Sequence, residues 1–308
     1  MPPWYIKAAV QGTLARLPNP QRWNRLFQVY VTRSLRLTDT SLCRKWGQTQ
    51  KHAAIIAELR PQGLADSHVV ELGTGWYPIS PIALTLAGAK QVWTIDQQSL
   101  LAHDRVVQTL DGFARLIAAK AISVPPAGLA AVERLHAARK AAPYQSATEL
   151  LGTVGINSLV GDARTLELPQ SSIDVFISNN TLEHIPREVL GQILQRFRTL
   201  ASPTAIMSHF IDMADHYTDF DKNITVYNYL KFSEPQWKWF NHQLQYQNRL
   251  RLSDYCALHE NAGWRIAKQD NTAEPLSVLR SIPLAPPFRK YAEADLAVYE
   301  SWLAATLD

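Results

Sequence analysis

From residue 66 onward the chain alternates short apolar runs with longer stretches of helical spacing, and this alternation restricts its fold more than any other feature. His68–Leu72 (HVVEL), Gln91–Ile95 (QVWTI), Ile156–Val160 (INSLV), Ile173–Ser178 (IDVFIS) and Thr204–Phe210 (TAIMSHF) have the length and the branched or aromatic content of buried strands. Pro81–Ala89, Arg187–Leu200 and Ser253–Ala262 read as helices. Strands that are apolar on both faces need cover on both sides, and helices between them supply it. The pattern predicts a doubly wound α/β sheet.

Two regions depart from simple alternation. Residues 97–156 exceed the needs of one crossover helix. Within them Leu100–Lys120 and Leu129–Lys140 read as helices separated by Ser123-Val-Pro-Pro-Ala-Gly128, so a helical insertion is expected. Residues 1–60 carry ten Lys/Arg against Asp39 and Glu58, which concentrates the basic character of a chain whose net charge is only +4. There Trp23, Leu26, Phe27, Tyr30 and Val31 follow one helical face, with Arg22, Arg25, Arg33 and Arg36 largely elsewhere. This basic helical region packs on the core or forms a lid, and it also suits a membrane-surface or RNA contact. Residues 61–308 are expected to form the core domain.

With 46% hydrophobic and 19% charged residues the chain is globular rather than disordered. Its two cysteines, Cys43 and Cys256, exclude a disulfide framework and a four-thiolate metal site, and they suit a reducing, cytoplasmic setting. The opening MPPWYIKAAV lacks the apolar core of a signal peptide. The uncharged run after Leu72 is broken by Gly73, Gly75, Pro78, Pro81 and Gly88, so no transmembrane span is expected.

The chemistry gathers at strand ends. Glu71-Leu-Gly73-Thr74-Gly75 follows the first strand, where glycines let the backbone turn tightly and approach a ligand. A dinucleotide fingerprint is not met, because Pro78 stands where a third glycine belongs. Asp96 ends the second strand, where a carboxylate can accept both hydroxyls of a ribose. Asp162, in Gly161-Asp-Ala163 after the third strand, can accept from an adenine amino group or simply form a turn. The fourth strand leads into Ser178-Asn179-Asn-Thr-Leu-Glu-His184-Ile-Pro186.

These segments together resemble the motifs of class I S-adenosylmethionine-dependent methyltransferases: ELGTG the first motif, TID the ribose-binding acid, GDA the adenine-contacting acid and IDVFISNNTLEHIP the fourth-strand motif. The resemblance covers about residues 66–283 and implies a Rossmann-like sheet of seven strands. Trp264–Lys268 and Leu276–Ile282 would be its closing antiparallel pair. It also implies S-adenosylmethionine as donor and S-adenosylhomocysteine as product, held by Glu71, Gly73, Thr74, Gly75, Asp96, Gln97, Asp162, Ala163 and Asn179. Trp76-Tyr-Pro78 and the 97–156 insertion depart from the family pattern.

A sulfonium methyl is already activated, so the protein aligns a nucleophile and, for a hydroxyl, removes its proton. His184, His209 and His216 are the candidate bases, since imidazole titrates near neutrality. His209, Asp212, Asp215, His216, Asp219 and Asp221 could hold a divalent cation, but their spacing is loose and no metal is assigned. Residues 210–255 hold 11 of the 29 aromatics. Tyr217, Tyr227, Tyr229 and Trp237 are candidate walls of an acceptor pocket, a secondary core being the other reading. The absence of a D/N-P-P-Y sequence after the fourth strand counts against base methylation. The expected activity is O-methylation of a hydroxyl or carboxylate on a small natural product, modified peptide, lipid or sugar. RNA methylation and donor binding without turnover are the alternatives.

Overall fold

The structure, a computed structural model, describes residues 3–18, 37–141, 146–242, 244 and 246–307. Five parallel strands, β1 (His68–Leu72), β2 (Gln91–Asp96), β3 (Ile156–Val160), β4 (Ile173–Asn179) and β5 (Ala201–Asp212), are joined by β6 (Trp264–Ala273) and β7 (Val298–Leu307). They form one seven-stranded sheet in the order β3-β2-β1-β4-β5-β7-β6, with β7 antiparallel to both of its neighbours. The chain winds outward from β1 to β3 and then returns to β4 beside β1. This reversal opens a crevice at the carboxyl ends of β1 and β4, where open α/β sheets bind ligands.

Alternation along the strands divides the core. Val69, Val175 and Ile177 face α2 (Asp39–Leu59), α3 (Ile79–Leu86), α4 (His103–Ala118), α5 (Pro126–Ala141) and α6 (Ala147–Gly152), where they meet Leu42, Ile56, Leu110 and Phe113. Val70, Leu72 and Phe176 face α7 (Arg187–Leu200) and α8 (Leu252–Asn261), where they meet Leu190, Leu194, Phe197 and Tyr255. The 97–156 segment thus supplies three helices to one face of the sheet. The later part of the basic N-terminal region also enters this core. Thr38 starts α2 with a capping box shared with Ser41, and Leu42, Trp46 and Ile56 are buried. The amphipathic segment from Trp23 to Val31 lies outside the described residues. Among the described residues no helix is long and apolar enough to cross a membrane.

The closing strand pair differs from the sequence expectation. β6 begins at Trp264 as expected, but Leu276–Arg280 is a helical turn and the seventh strand is Val298–Leu307. Pro275 immediately before the turn holds φ at −53°, close to the helical value, and helps start a helix. The Leu303-Ala-Ala305 stretch is short-chained and gives a weak strand signal alone. It is fully buried because β7 sits between β5 and β6. The sheet therefore extends past residue 283 to the end of the described chain.

Candidate functional site

The turn after β1 is built around two residues with positive φ, Gly73 at +93° and Gly75 at +69°. A Cβ on Gly73 would lie 2.3 Å from Thr181 Oγ1, so this position must be glycine for the β1 and β4 turns to pack together. Around Gly75 nothing lies within 4 Å of where a Cβ would sit, leaving its backbone open to a ligand. Gly75 N–H donates to Asp96 Oδ2 at 3.1 Å, and Gly73 N–H donates to the Ile95 carbonyl at 2.9 Å, which ties the turn to the end of β2. Gly73, Thr74, Gly75, Asp96, Gln97, Ala163, Asn179 and His184 all line one cleft of about 530 Å³.

Lys45 is a wall that was not anticipated, whereas Trp76 and Tyr77 belong to the segment that departs from the family pattern. Lys45 reaches the cleft from α2, and Trp76 and Tyr77 line it with Arg105 stacked over the Trp76 ring at 4.6 Å. Desolvation lowers Lys45 to about 8, partly offset by attraction to Glu71. No local motif around Lys45 marks it, since only the packing of α2 carries it to the cleft. α2 also brings in His52, which bridges Ser208 (2.7 Å) and the side-chain oxygen of Asn179 (3.2 Å), fixing that amide at the cleft.

Several expected site residues lie elsewhere. Glu71 shares a strand face with Val69, so it points towards α2 and is buried behind the glycine turn instead of lining the cleft. Burial raises it to about 7 despite hydrogen bonds from Thr94 and Ser80. Thr94 donates to Glu71 Oε2 at 2.7 Å, so Thr74, 2.6 Å from the Thr94 hydroxyl, is left to donate to Thr94. Glu71 thereby acts on the turn through a chain of hydroxyls. Asp162 turns onto Arg164, which holds it in a two-pronged ion pair, and only its neighbours Gly161 and Ala163 line the cleft.

Of the three candidate bases, His209 is ruled out by position. It lies on the β5 face turned towards α8, fully buried, with Nδ1 2.8 Å from Ser178 Oγ and its ring beside His259. His184 opens onto the cleft. Its Nδ1 lies 2.7 Å from the Tyr246 carbonyl, which can only accept, so the proton sits on Nδ1 and Nε2 carries the lone pair. Desolvation and the nearby His216 lower its pKa below the usual imidazole value. His216, largely buried, has its ring 5.1 Å from that of His184 and Nε2 3.5 Å from Asp212 Oδ2.

The aromatic segment is a core and not a pocket wall. Tyr217, Tyr227, Tyr229 and Trp237 are buried with Trp4, Leu279, Phe288 and Leu296, and none of the four lines the cleft. Their polar tips are satisfied internally, the hydroxyls of Tyr217, Tyr227 and Tyr229 donating to the carbonyls of Phe240, Ala297 and Met213. Two members of the loose acidic cluster are structural as well. Asp215 caps a turn at Tyr217 and accepts from Asn228, while Asp221 accepts from the Trp4 and Asn223 backbones.

Residues 114–207 match a family model described as a methyltransferase domain. These residues are similar to a methyltransferase domain and lie within the seven-stranded sheet. The matched stretch contains Asp162, Ala163, Asn179 and His184, whereas the glycine turn and Asp96 precede it. No curated protein matches the chain. Among solved structures, an S-adenosylmethionine-dependent methyltransferase from Mesorhizobium loti is 13% identical, with 85% of this chain and 97% of that one covered and a TM-score of 0.43. Magnesium protoporphyrin IX methyltransferase from Synechocystis PCC 6803, with bound SAH, is 14% identical over 94% of this chain and 93% of that one, at a TM-score of 0.46. Geranyl diphosphate C-methyltransferase from Streptomyces coelicolor A3(2) is 9% identical over 84% and 79%, at 0.47. At this degree of likeness none of them bears on what this chain acts on.

The cleft has the features of a nucleoside site. Asp96 presents a carboxylate at the end of β2, the Gly75 backbone is open, and the apolar side chains of Leu72, Ile95, Ile185 and Ile193 offer surface for a base.

Proposed function

We propose that this domain transfers the methyl group of S-adenosylmethionine to an oxygen, hydroxyl or carboxylate, of a small or medium-sized acceptor. The observation that carries the reading is the convergence of the glycine turn, Asp96, Asn179 and His184 on one cleft. S-adenosylmethionine supplies an activated methyl group on its sulfonium, so what remains is alignment, exclusion of water and, for a hydroxyl, somewhere for its proton to go.

The chain's own groups divide that work. Asp96 is placed to accept from the ribose hydroxyls, and Gly73 and Gly75 let the backbone come close to the donor. Asn179, held by His52, fixes the β4 side. His184 offers a neutral imidazole whose second nitrogen is free of protons, which suits an oxygen nucleophile. Lys45 puts a positive charge on the wall and favours an acceptor bearing negative charge.

Incubation of the full chain with S-adenosylmethionine and an acceptor library, read by mass spectrometry for the gain of one methyl group, tests the reading. Products methylated on oxygen support it. Methylation confined to carbon or nitrogen acceptors would replace the oxygen assignment, and failure of S-adenosylhomocysteine to bind would remove the donor assignment.

A further inference from the structure

The turn leaving β4 buries an acid that nothing nearby neutralises by contact. Glu183 is 1% exposed, and neither carboxylate oxygen has a hydrogen-bond partner outside its own backbone among the described residues. A buried carboxyl group stays neutral unless it is paired or coordinates a cation, so Glu183 is either a protonated acid or a ligand, and its neighbours decide which. The turn carrying it is firmly held. Asn248 Nδ2 donates to the carbonyls of both Leu182 and Ile185, and Asn248 N–H donates to the Glu183 carbonyl.

Two imidazoles complete the arrangement. His184 has Nδ1–H committed to the Tyr246 carbonyl, the outer hydrogen bond that ligating histidines commonly make, which leaves Nε2 as a donor atom. His216 enters from the loop after β5, and Asp212 Oδ2, 3.5 Å from its Nε2, is close enough to orient the ring or to join a coordination sphere. Ligand atoms of Glu183, His184 and His216 all lie within 4.8 Å of one another. A tetrahedral cation with bonds near 2.1 Å would draw such atoms to about 3.4 Å, which side-chain movement of under about 1 Å by each achieves. Of the loose acidic cluster in the sequence, His216 belongs to this group and Asp212 lies beside it. The two decisive residues, Glu183 and His184, are adjacent on the other side.

We propose that Glu183, His184 and His216 form a binding site for a divalent transition-metal cation whose remaining coordination positions face the cleft and accept an oxygen of the methyl acceptor. One carboxylate and two imidazoles suit zinc and the neighbouring divalent transition metals better than magnesium or calcium, which prefer all-oxygen shells. His184 lines the cleft, so the cation borders the space where the acceptor sits. With His184 Nε2 on the cation, a bound hydroxyl loses its proton to solvent instead of to that ring, because the cation stabilises the ionised oxygen. Cation binding is independent of the methyltransferase reading; the acceptor role rests on it.

The test uses the full-length chain, stripped with a chelator and dialysed, then titrated with Co²⁺ and Zn²⁺ by calorimetry and Co²⁺ absorption. One equivalent is expected to bind, with Glu183→Gln and His216→Gln each weakening it by about 100-fold or more. His136→Asn, on α5 away from the cluster, should leave it unchanged. Acetohydroxamate, a small oxygen chelator, should shift the Co²⁺ bands of the loaded wild type. Equal binding by wild type and Glu183→Gln, or no stoichiometric binding at all, overturns the site, and unshifted bands overturn the open positions. If Glu183→Gln fails to fold, Cu²⁺ electron paramagnetic resonance of the wild type decides. Coupling to two imidazole nitrogens supports the site and its absence refutes it. S-adenosylhomocysteine titrated in parallel separates the two readings. Its binding without the cation refutes only the site, and cation binding without it refutes only the donor assignment.

Discussion

Gly75 donates its backbone N–H to Asp96 Oδ2 at 3.1 Å, making the turn after β1 and the acid ending β2 a single hydrogen-bonded unit. The other oxygen of Asp96 accepts from Gln98 N–H at 3.2 Å, so the carboxylate is held in place before any ligand arrives. Asp96→Ala removes both the proposed ribose acceptor and the partner of the turn. S-adenosylhomocysteine affinity should fall roughly 10- to 150-fold, corresponding to the loss of about 1.5–3 kcal/mol of charge-assisted hydrogen bonding. Calorimetry giving unchanged affinity would show that Asp96 does not hold the ribose.

Gly73→Ala faces two separate penalties, a positive φ and a collision with Thr181. The backbone term alone costs about 1–2 kcal/mol. Adding Thr181→Ala relieves the collision and leaves the backbone term. Urea unfolding should therefore show the double variant recovering part, but not all, of the loss, with a coupling of about 0.5–3 kcal/mol. Strict additivity of the two substitutions would mean the two turns do not pack as described.

His184→Ala should lower turnover by about 10²- to 10⁴-fold while S-adenosylhomocysteine affinity stays within a few fold. In the proposed reading the ring meets the acceptor, whereas the β1 and β2 turns hold the donor. A variant retaining full turnover would mean that the acceptor oxygen is already ionised, as a carboxylate is, and that no cation is needed to activate it.

Trp4 joins the N-terminal helix α1 (Trp4–Leu14) to the aromatic core, with ring centroids 5.2 Å from Tyr217, 5.7 Å from Phe232 and 4.8 Å from Phe240. Trp4→Ala is expected to destabilise the protein by about 3–5 kcal/mol. Donor-product binding should be little changed, since no part of this cluster touches the cleft. A large loss of S-adenosylhomocysteine affinity in a folded Trp4→Ala protein would contradict that separation.

His52 sets an acid limit. Burial pushes its pKa down to about 3, although the hydrogen bond to Asn179 opposes the shift. Between about pH 6.5 and that value the unfolded chain binds a proton that the folded chain refuses, so this contribution to stability falls as pH falls. By pH 5 the loss amounts to about 2 kcal/mol. The stability advantage of wild type over His52→Gln should accordingly shrink by about that amount between pH 7 and pH 5, measured by urea unfolding. An advantage independent of pH would show that His52 is not held neutral.

What the amino-acid sequence determined by itself is the part controlled by local order. Apolar runs of strand length placed β1 to β5 within a few residues, because a strand buried on both faces must be apolar almost throughout. The glycine turn, Asp96 and the β4 turn were legible because each lies at or just after the end of a strand, and parallel strands bring their ends to one edge. β7 was not legible, since its alanine-rich centre is buried only by the two strands that flank it.

Tertiary structure alone decided which side chains meet. Alternation turned Glu71 towards α2 and His209 towards α8, although both sit on the strands that build the site. Tyr217, Tyr227, Tyr229 and Trp237 became core because α1 and the 279–297 segment close over them. Lys45 entered the cleft, and Glu183 met His216 across 33 residues of chain, through packing that no local pattern records. Local periodicity reports which elements form and which face is apolar. The partners of a charged side chain depend on elements distant in sequence, and these are assembled only when the sheet closes.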